Sequence, residues 1–140
     1  MNLSELLRKE MIEKVEADKK QAGELFVHAE KDLKVAEDNF KINNYDWSLA
    51  IAYNAMLSAG RALMAVMGYR AKMEAHHLAV VQFCAAVMPA ESTQLIAAFN
   101  RYRARRHEVV YGETETVGKD EAKRALDNAM TFLKKIKEKI

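Results

Sequence analysis

Turn-forming residues are scarce in this chain: 140 residues include only five glycines and one proline. That scarcity argues against an all-β protein with many tight turns, and the abundance of Ala, Leu, Met, Lys and Glu favours helix. The one cysteine, Cys84, excludes an intramolecular disulfide; set in an apolar run, it reads as a small core residue in a reducing cytoplasm. A net charge of +2 is too small to imply nucleic-acid binding unless the basic residues cluster. The N-terminus lacks the apolar core of a signal peptide, and no run approaches the ~20 apolar residues of a membrane span. A cytoplasmic protein with no membrane partner is expected. A Gly-rich phosphate loop and a serine-histidine-acid triad are also missing. The pair His76-His77 diverges by about 100° on a helix, and no set of acids or cysteines completes a ligand group, so neither a metal nor another cofactor is expected.

What the chain has is helical periodicity. Apolar residues recur at helical spacing from Leu3 to about Phe40, which reads as a long helix with a break or a shift of face in its most polar part, 16–23. Residues 41–46 form a turn in which Asn44 or Asp46 caps the next helix. Residues 47–67 are apolar almost all round, as in a central helix. Trp47, Tyr53 and the methionines at 56, 64, 67 and 73 are assigned first to the core, and Gly68 is suited to stop the helix. A basic linker, 69–72, leads to a third helix ending before Pro89. A fourth runs from near Glu91 towards Tyr111, and a fifth starts near Lys119. The expected architecture is all-α, an up-and-down bundle of about five helices. It forms a single domain over 1–140, with 1–20 as an N-terminal helical extension.

The fourth helix carries the only basic cluster, Arg101, Arg103, Arg105, Arg106 and His107. Advancing about 100° per residue, Leu95, Phe99, Tyr102, Arg106, Val109 and Val110 share one stripe, with Arg106 near its middle. A guanidinium on an apolar stripe needs a carboxylate, a phosphate or a facing subunit; an ion pair to an acid such as Asp46 is the structural alternative. Arg101 and Arg105 point to solvent, where Glu108, Glu113 or Glu115 can pair with them. Arg61, inside the apolar central helix, either pairs with an acid or adds to the Arg106 pocket. His77 reads as a capping or packing residue.

The segment Ile51-Ala52-Tyr53-Asn54-Ala55-Met56-Leu57-Ser58-Ala59-Gly60-Arg61-Ala62-Leu63-Met64 resembles the second-helix signature of the HEPN family, the higher eukaryote and prokaryote nucleotide-binding domain. Gly68-Tyr69, His77, the helix bearing Arg103 and Arg106, a final tyrosine and the closing Glu121-Ala122-x-x-Ala125-Leu126 pattern follow in the family's order. The resemblance covers roughly residues 20 to 140. It implies a helical bundle, commonly dimeric and often encoded beside a minimal nucleotidyltransferase, and in many members a metal-independent ribonuclease with an Arg-x(4–6)-His motif.

Aligned on Arg106, this chain reads Arg106-His107-Glu108-Val109-Val110-Tyr111, so tyrosine replaces the motif histidine. Tyrosine has a free pKa near 10 and is a poorer proton carrier than histidine at neutral pH. Arg101 and His107 offer a second register on spacing alone, but Arg101 lies on the solvent side. The resemblance implies catalytic roles for Arg106, His107 and Tyr111 and phosphate binding by Arg103 and Arg106. The expected function is an RNA- or nucleotide-phosphate-binding module, a homodimer, acting with a separately encoded nucleotidyltransferase in a toxin–antitoxin-like pair, with ribonuclease activity open. The alternative is a catalytically inactive helical dimer serving as a protein-interaction or nucleotide-binding module.

Overall fold

A computed structural model describes residues 1–73, 76–112 and 117–140. Its elements are α1 (Leu3–Arg8), β1 (Ile12–Lys14), α2 (Lys19–Lys41), α3 (Tyr45–Met67), β2 (Tyr69–Ala71), α4 (His77–Val87), a 3₁₀ turn (Ala90–Ser92), α5 (Thr93–Val110) and α6 (Lys119–Lys137). The chain is all-α in class, and α3 is the axis against which α2, α4, α5 and α6 all pack.

The axial position of α3 follows from its composition. Ala52, Ala55, Ala59 and Ala62 are fully buried, and small side chains let neighbouring backbones come close. Contact is tightest at Gly60, where an added Cβ would lie 2.7 Å from Val80 Cγ1 and 3.2 Å from Cys84 Sγ. Gly68 ends the helix in the left-handed region at φ 85°, a conformation that costs glycine little. By length and composition α3 could cross a membrane, contrary to the sequence expectation, but 78% of its most apolar window is buried within the fold.

The chain departs from the expected long first helix. Asn2 Oδ1 accepts from Glu5 N at 2.9 Å to start α1, and Glu10 then turns the chain at φ 57°. Residues Ile12–Lys14 pair antiparallel with Tyr69–Ala71, Ile12 opposite Ala71 and Lys14 opposite Tyr69. Asp18 then caps α2, its carboxylate accepting from Gln21 N at 2.9 Å. The N-terminal stretch 1–20 is therefore not a helical extension, and 69–72 is not a plain linker. Leu6 and Ile12 are buried at 0% and 1% exposure, so this stretch belongs to the core. Its strand is specified by a partner distant in sequence, which local periodicity does not report.

Of seven residues assigned to the core, four lie in it and three do not. Tyr53, Cys84, Met56 and Met64 are buried, whereas Trp47, Met67 and Met73 are 48%, 42% and 68% exposed. Ser48 explains the first exception: its hydroxyl donates to Ala36 O at 2.8 Å, turning that side of α3 to α2 and sending Trp47, about 100° away, outward. Asn44 occupies the cap position of α3 without a side-chain cap bond.

Candidate anion site around Tyr53

The arginine-bearing helix folds as its stripe requires. Leu95, Phe99 and Tyr102 are buried and Val109 packs on the core, so the face that contains Arg106 turns inward. Phe99 anchors it through rings 5.1 Å from Phe132 on α6 and 5.7 Å from Tyr53 on α3. Tyr102 adds a polar anchor, its hydroxyl accepting from Asn128 Nδ2 at 2.8 Å.

Arg106 extends over Tyr53, its guanidinium carbon 6.0 Å from the ring centroid, within the range of a cation–π contact. Its Nε is buried and has no hydrogen-bond partner among the described residues, and the same is true of the Tyr53 hydroxyl. Among the described residues no carboxylate forms an ion pair with Arg103 or Arg106. Asp46, the carboxylate considered as a partner for Arg106, instead accepts from Val117 N at 3.2 Å. Glu113 and Glu115 lie outside the described residues.

Three helices converge at this point. His77, the first residue of α4, sets its ring 5.8 Å from that of Tyr53. Burial lowers the His77 pKa, and Arg61, Arg106, Arg103 and His76 lower it further, because an imidazolium would add like charge to a positive cluster. The imidazole is thus neutral at pH 7. Burial pushes the Tyr53 hydroxyl up to about 12, against the opposing pull of Arg106, Arg103 and Arg61. Arg103 is steadied by its Nε bond to Asn100 Oδ1 at 3.1 Å. The result is a half-buried group of guanidiniums with a neutral histidine beside it, on a floor made by one tyrosine. Such a group attracts an oxyanion and offers charge-assisted bonds to it.

The other basic residues of α5 are occupied elsewhere. Arg105 binds both oxygens of Glu121, at 2.9 and 3.1 Å, and Glu108 at 2.7 Å; these bonds raise its pKa. The expected pairing with Glu108 is present, but Arg105 does not point to solvent: its side chain is 21% exposed and is held by Glu121 of α6. Arg101 is exposed and lies over Tyr102, 6.0 Å from its centroid.

The residues singled out from sequence therefore separate into two sets. Arg103 and Arg106 meet in the Tyr53 cluster. His107 and Tyr111 pair with each other, ring centroids 4.6 Å apart, on an exposed face where Tyr111 is 68% accessible. From sequence alone Tyr53 is a core residue, His77 a capping or packing residue, and Arg61 a residue with two possible roles. Their proximity to Arg106 depends on how α3, α4 and α5 cross, which no single-helix pattern contains.

Comparison with known proteins agrees with this architecture. No curated protein matches the chain. The family model of the HEPN domain matches residues 22–140, which takes in α3, α4, α5 and α6 and nearly all of α2. The chain belongs to the HEPN domain family.

Proposed function

We propose that this chain binds the phosphate of RNA or of a nucleotide in the cluster of Arg61, Arg103, Arg106 and His77 around Tyr53. The observation that carries the reading is Arg106, whose buried Nε has no partner among the described residues. A buried polar group left unpaired costs about 1–3 kcal/mol. An arginine kept on a core-facing stripe at that cost is explained by a ligand that completes its bonds. Arg106 and Arg103 would grip the phosphate oxygens, and His77 would donate a ring N–H to one of them.

A homodimer would bring two such sites towards a common cleft and sum their charge. The family likeness points to a cytoplasmic partnership with a separately encoded minimal nucleotidyltransferase, in the manner of a toxin and its antitoxin.

A second reading, metal-independent RNA cleavage, is favoured by one observation: His77 and Arg106 both lie against the ring of Tyr53, at 5.8 and 6.0 Å. In that reaction the ribose 2′-oxygen bonds to phosphorus as the P–O5′ bond breaks. A base takes the 2′-hydroxyl proton and an acid returns one to the departing 5′-oxygen, leaving a 2′,3′-cyclic phosphate. Arg106 would stabilise the charge on the phosphoryl oxygens. His107 on the outer face and His77 on the inner face are the candidate proton carriers, and Tyr111 stands in the motif position.

Incubation of mixed RNA in EDTA with the wild type, Arg106→Ala, His77→Ala and His107→Ala, alongside a binding assay over a salt series, separates the readings. Salt-dependent binding lost in Arg106→Ala supports the phosphate site. Cleavage by the wild type that Arg106→Ala abolishes establishes the ribonuclease. RNA binding undiminished in Arg106→Ala, or absent from the wild type, would leave a protein-interaction module.

A further inference from the structure

A second cleft adjoins the Tyr53 cluster and shares one residue with it. About 540 Å³ of space lies between α2, α3 and β2, lined by Leu25, Arg61, Met64, Tyr69, Arg70 and Lys72 among others. That volume falls in the about 300–1,000 Å³ usual for small-ligand sites. Leu25, Met64 and Tyr69 give it an apolar floor, and Tyr69 is steadied by Phe83, their ring centroids 5.4 Å apart. Gln21 adds a side-chain amide. No carboxylate is among the described lining residues.

The cations here are held in place. Arg70 pairs with Glu13 across the ladder of β1 and β2, and Lys72 with Glu10 just beyond its end. Arg61 lines the cleft and stands on α3 about two turns beyond Tyr53, so the cleft and the anion site are built on the same helix. Its outer wall, β2, is paired with residues 12–14, which precede the family-matched span of 22–140. The wall is thus fixed by a part of this chain that the family model does not cover.

We propose that this cleft holds the nucleoside adjoining the phosphate bound at Arg106, so that the ligand is a nucleotide or an RNA strand rather than a bare anion. The proposal rests on the phosphate-binding reading above. Apolar walls with an aromatic ring suit the faces of a heterocycle, and the Gln21 amide suits its polar edge. Arg61, between the two sites, would contact the linking phosphodiester.

Amide NMR titrations with three probes test this: adenosine, inorganic phosphate and adenosine 3′-monophosphate. Adenosine is expected to shift the amides of Leu25, Tyr69 and Ala71, and inorganic phosphate those of residues 103–107. The nucleotide should shift both sets and bind at least about tenfold more tightly than inorganic phosphate. Gln21→Trp, at an exposed position that does not endanger folding, and Leu25→Trp should both fill the cleft. They should erase that advantage while leaving phosphate binding intact. A nucleotide that binds no more tightly than phosphate, or an advantage that survives both tryptophans, overturns the proposal. Adenosine shifts at the cleft without phosphate shifts at 103–107 would uphold the cleft and refute the phosphate reading.

Discussion

Arg106 and Tyr53, from helices α5 and α3, meet as a cation over a ring at 6.0 Å, and each also buries a polar atom with no partner among the described residues. The contact between them recovers only part of what burial takes. An exposed cation–π pair is worth about 0.5–1 kcal/mol and a desolvated one about 2, against about 1–3 kcal/mol for an unsatisfied buried group. On the proposed reading, a bound phosphate makes up the remainder by completing the bonds of Arg106.

The first prediction follows from that balance. Arg106→Met keeps the side-chain stem on the apolar stripe and removes the unpaired Nε. It should leave stability unchanged or raise it by about 1 kcal/mol, while phosphate and RNA binding are lost. Urea denaturation measures the first effect and titration the second. A loss of stability above about 1 kcal/mol would show instead that Arg106 serves the fold.

His77 supplies a pH dependence. Its folded pKa lies below the ordinary value of 6.5 because of burial first and the neighbouring guanidiniums second, so the unfolded chain binds the proton more readily. The stability tied to neutral His77 is full above 6.5, and it is lost as the pH falls from there through the folded value. His77→Phe should flatten that slope in pH-dependent melting. Bound phosphate should raise the His77 pKa by offsetting the arginine charge, visible in the ring resonances; an unmoved titration would place the anion elsewhere.

Arg105 is the internal control. Its bonds to Glu121 and Glu108 lie partly in solvent, with the Arg105 side chain 21% exposed, so Arg105→Ala should cost no more than about 1 kcal/mol. Phosphate binding should change far less than in Arg106→Ala, although both remove one positive charge. Equal losses would mean that α5 attracts anions through net charge and not through a built site.

Gly60 tests the packing that brings α4 and α5 to α3. Alanine is worth about 1 kcal/mol more than glycine inside a helix, yet here its Cβ would stand 2.7 Å from Val80 Cγ1. Overpacking costs about 1–3 kcal/mol. Gly60→Ala should therefore be destabilised by about 1 kcal/mol, and Val80→Ala in the same chain should relieve the strain. A Gly60→Ala protein more stable than wild type would refute the close approach.

The features legible in sequence are those written within one helix. The stripe Leu95, Phe99, Tyr102, Arg106 and Val109 is a local 3.6-residue pattern, and α5 turns it inward as its spacing requires. Gly68 stops α3 in the left-handed region, and the all-apolar character of 47–67 made α3 the axis. The signature around Tyr53 and Arg61 was enough to place the chain in its family, because that signature is continuous along one helix.

Contacts between segments distant in sequence were settled only by the tertiary structure. Residues 12–14 have no strand signal of their own strong enough to override a helical neighbourhood; they are a strand because β2, more than fifty residues on, offers its backbone in register. Trp47 is as apolar as any core residue, yet Ser48 takes the place against α2. Tyr53, His77 and Arg106 each had an ordinary reading alone, as core ring, packing residue and misplaced cation. Their chemistry comes from the crossing of α3, α4 and α5, since a pKa or a cation's affinity depends on which charges and apolar surfaces lie within a few ångströms, and that is a property of the fold.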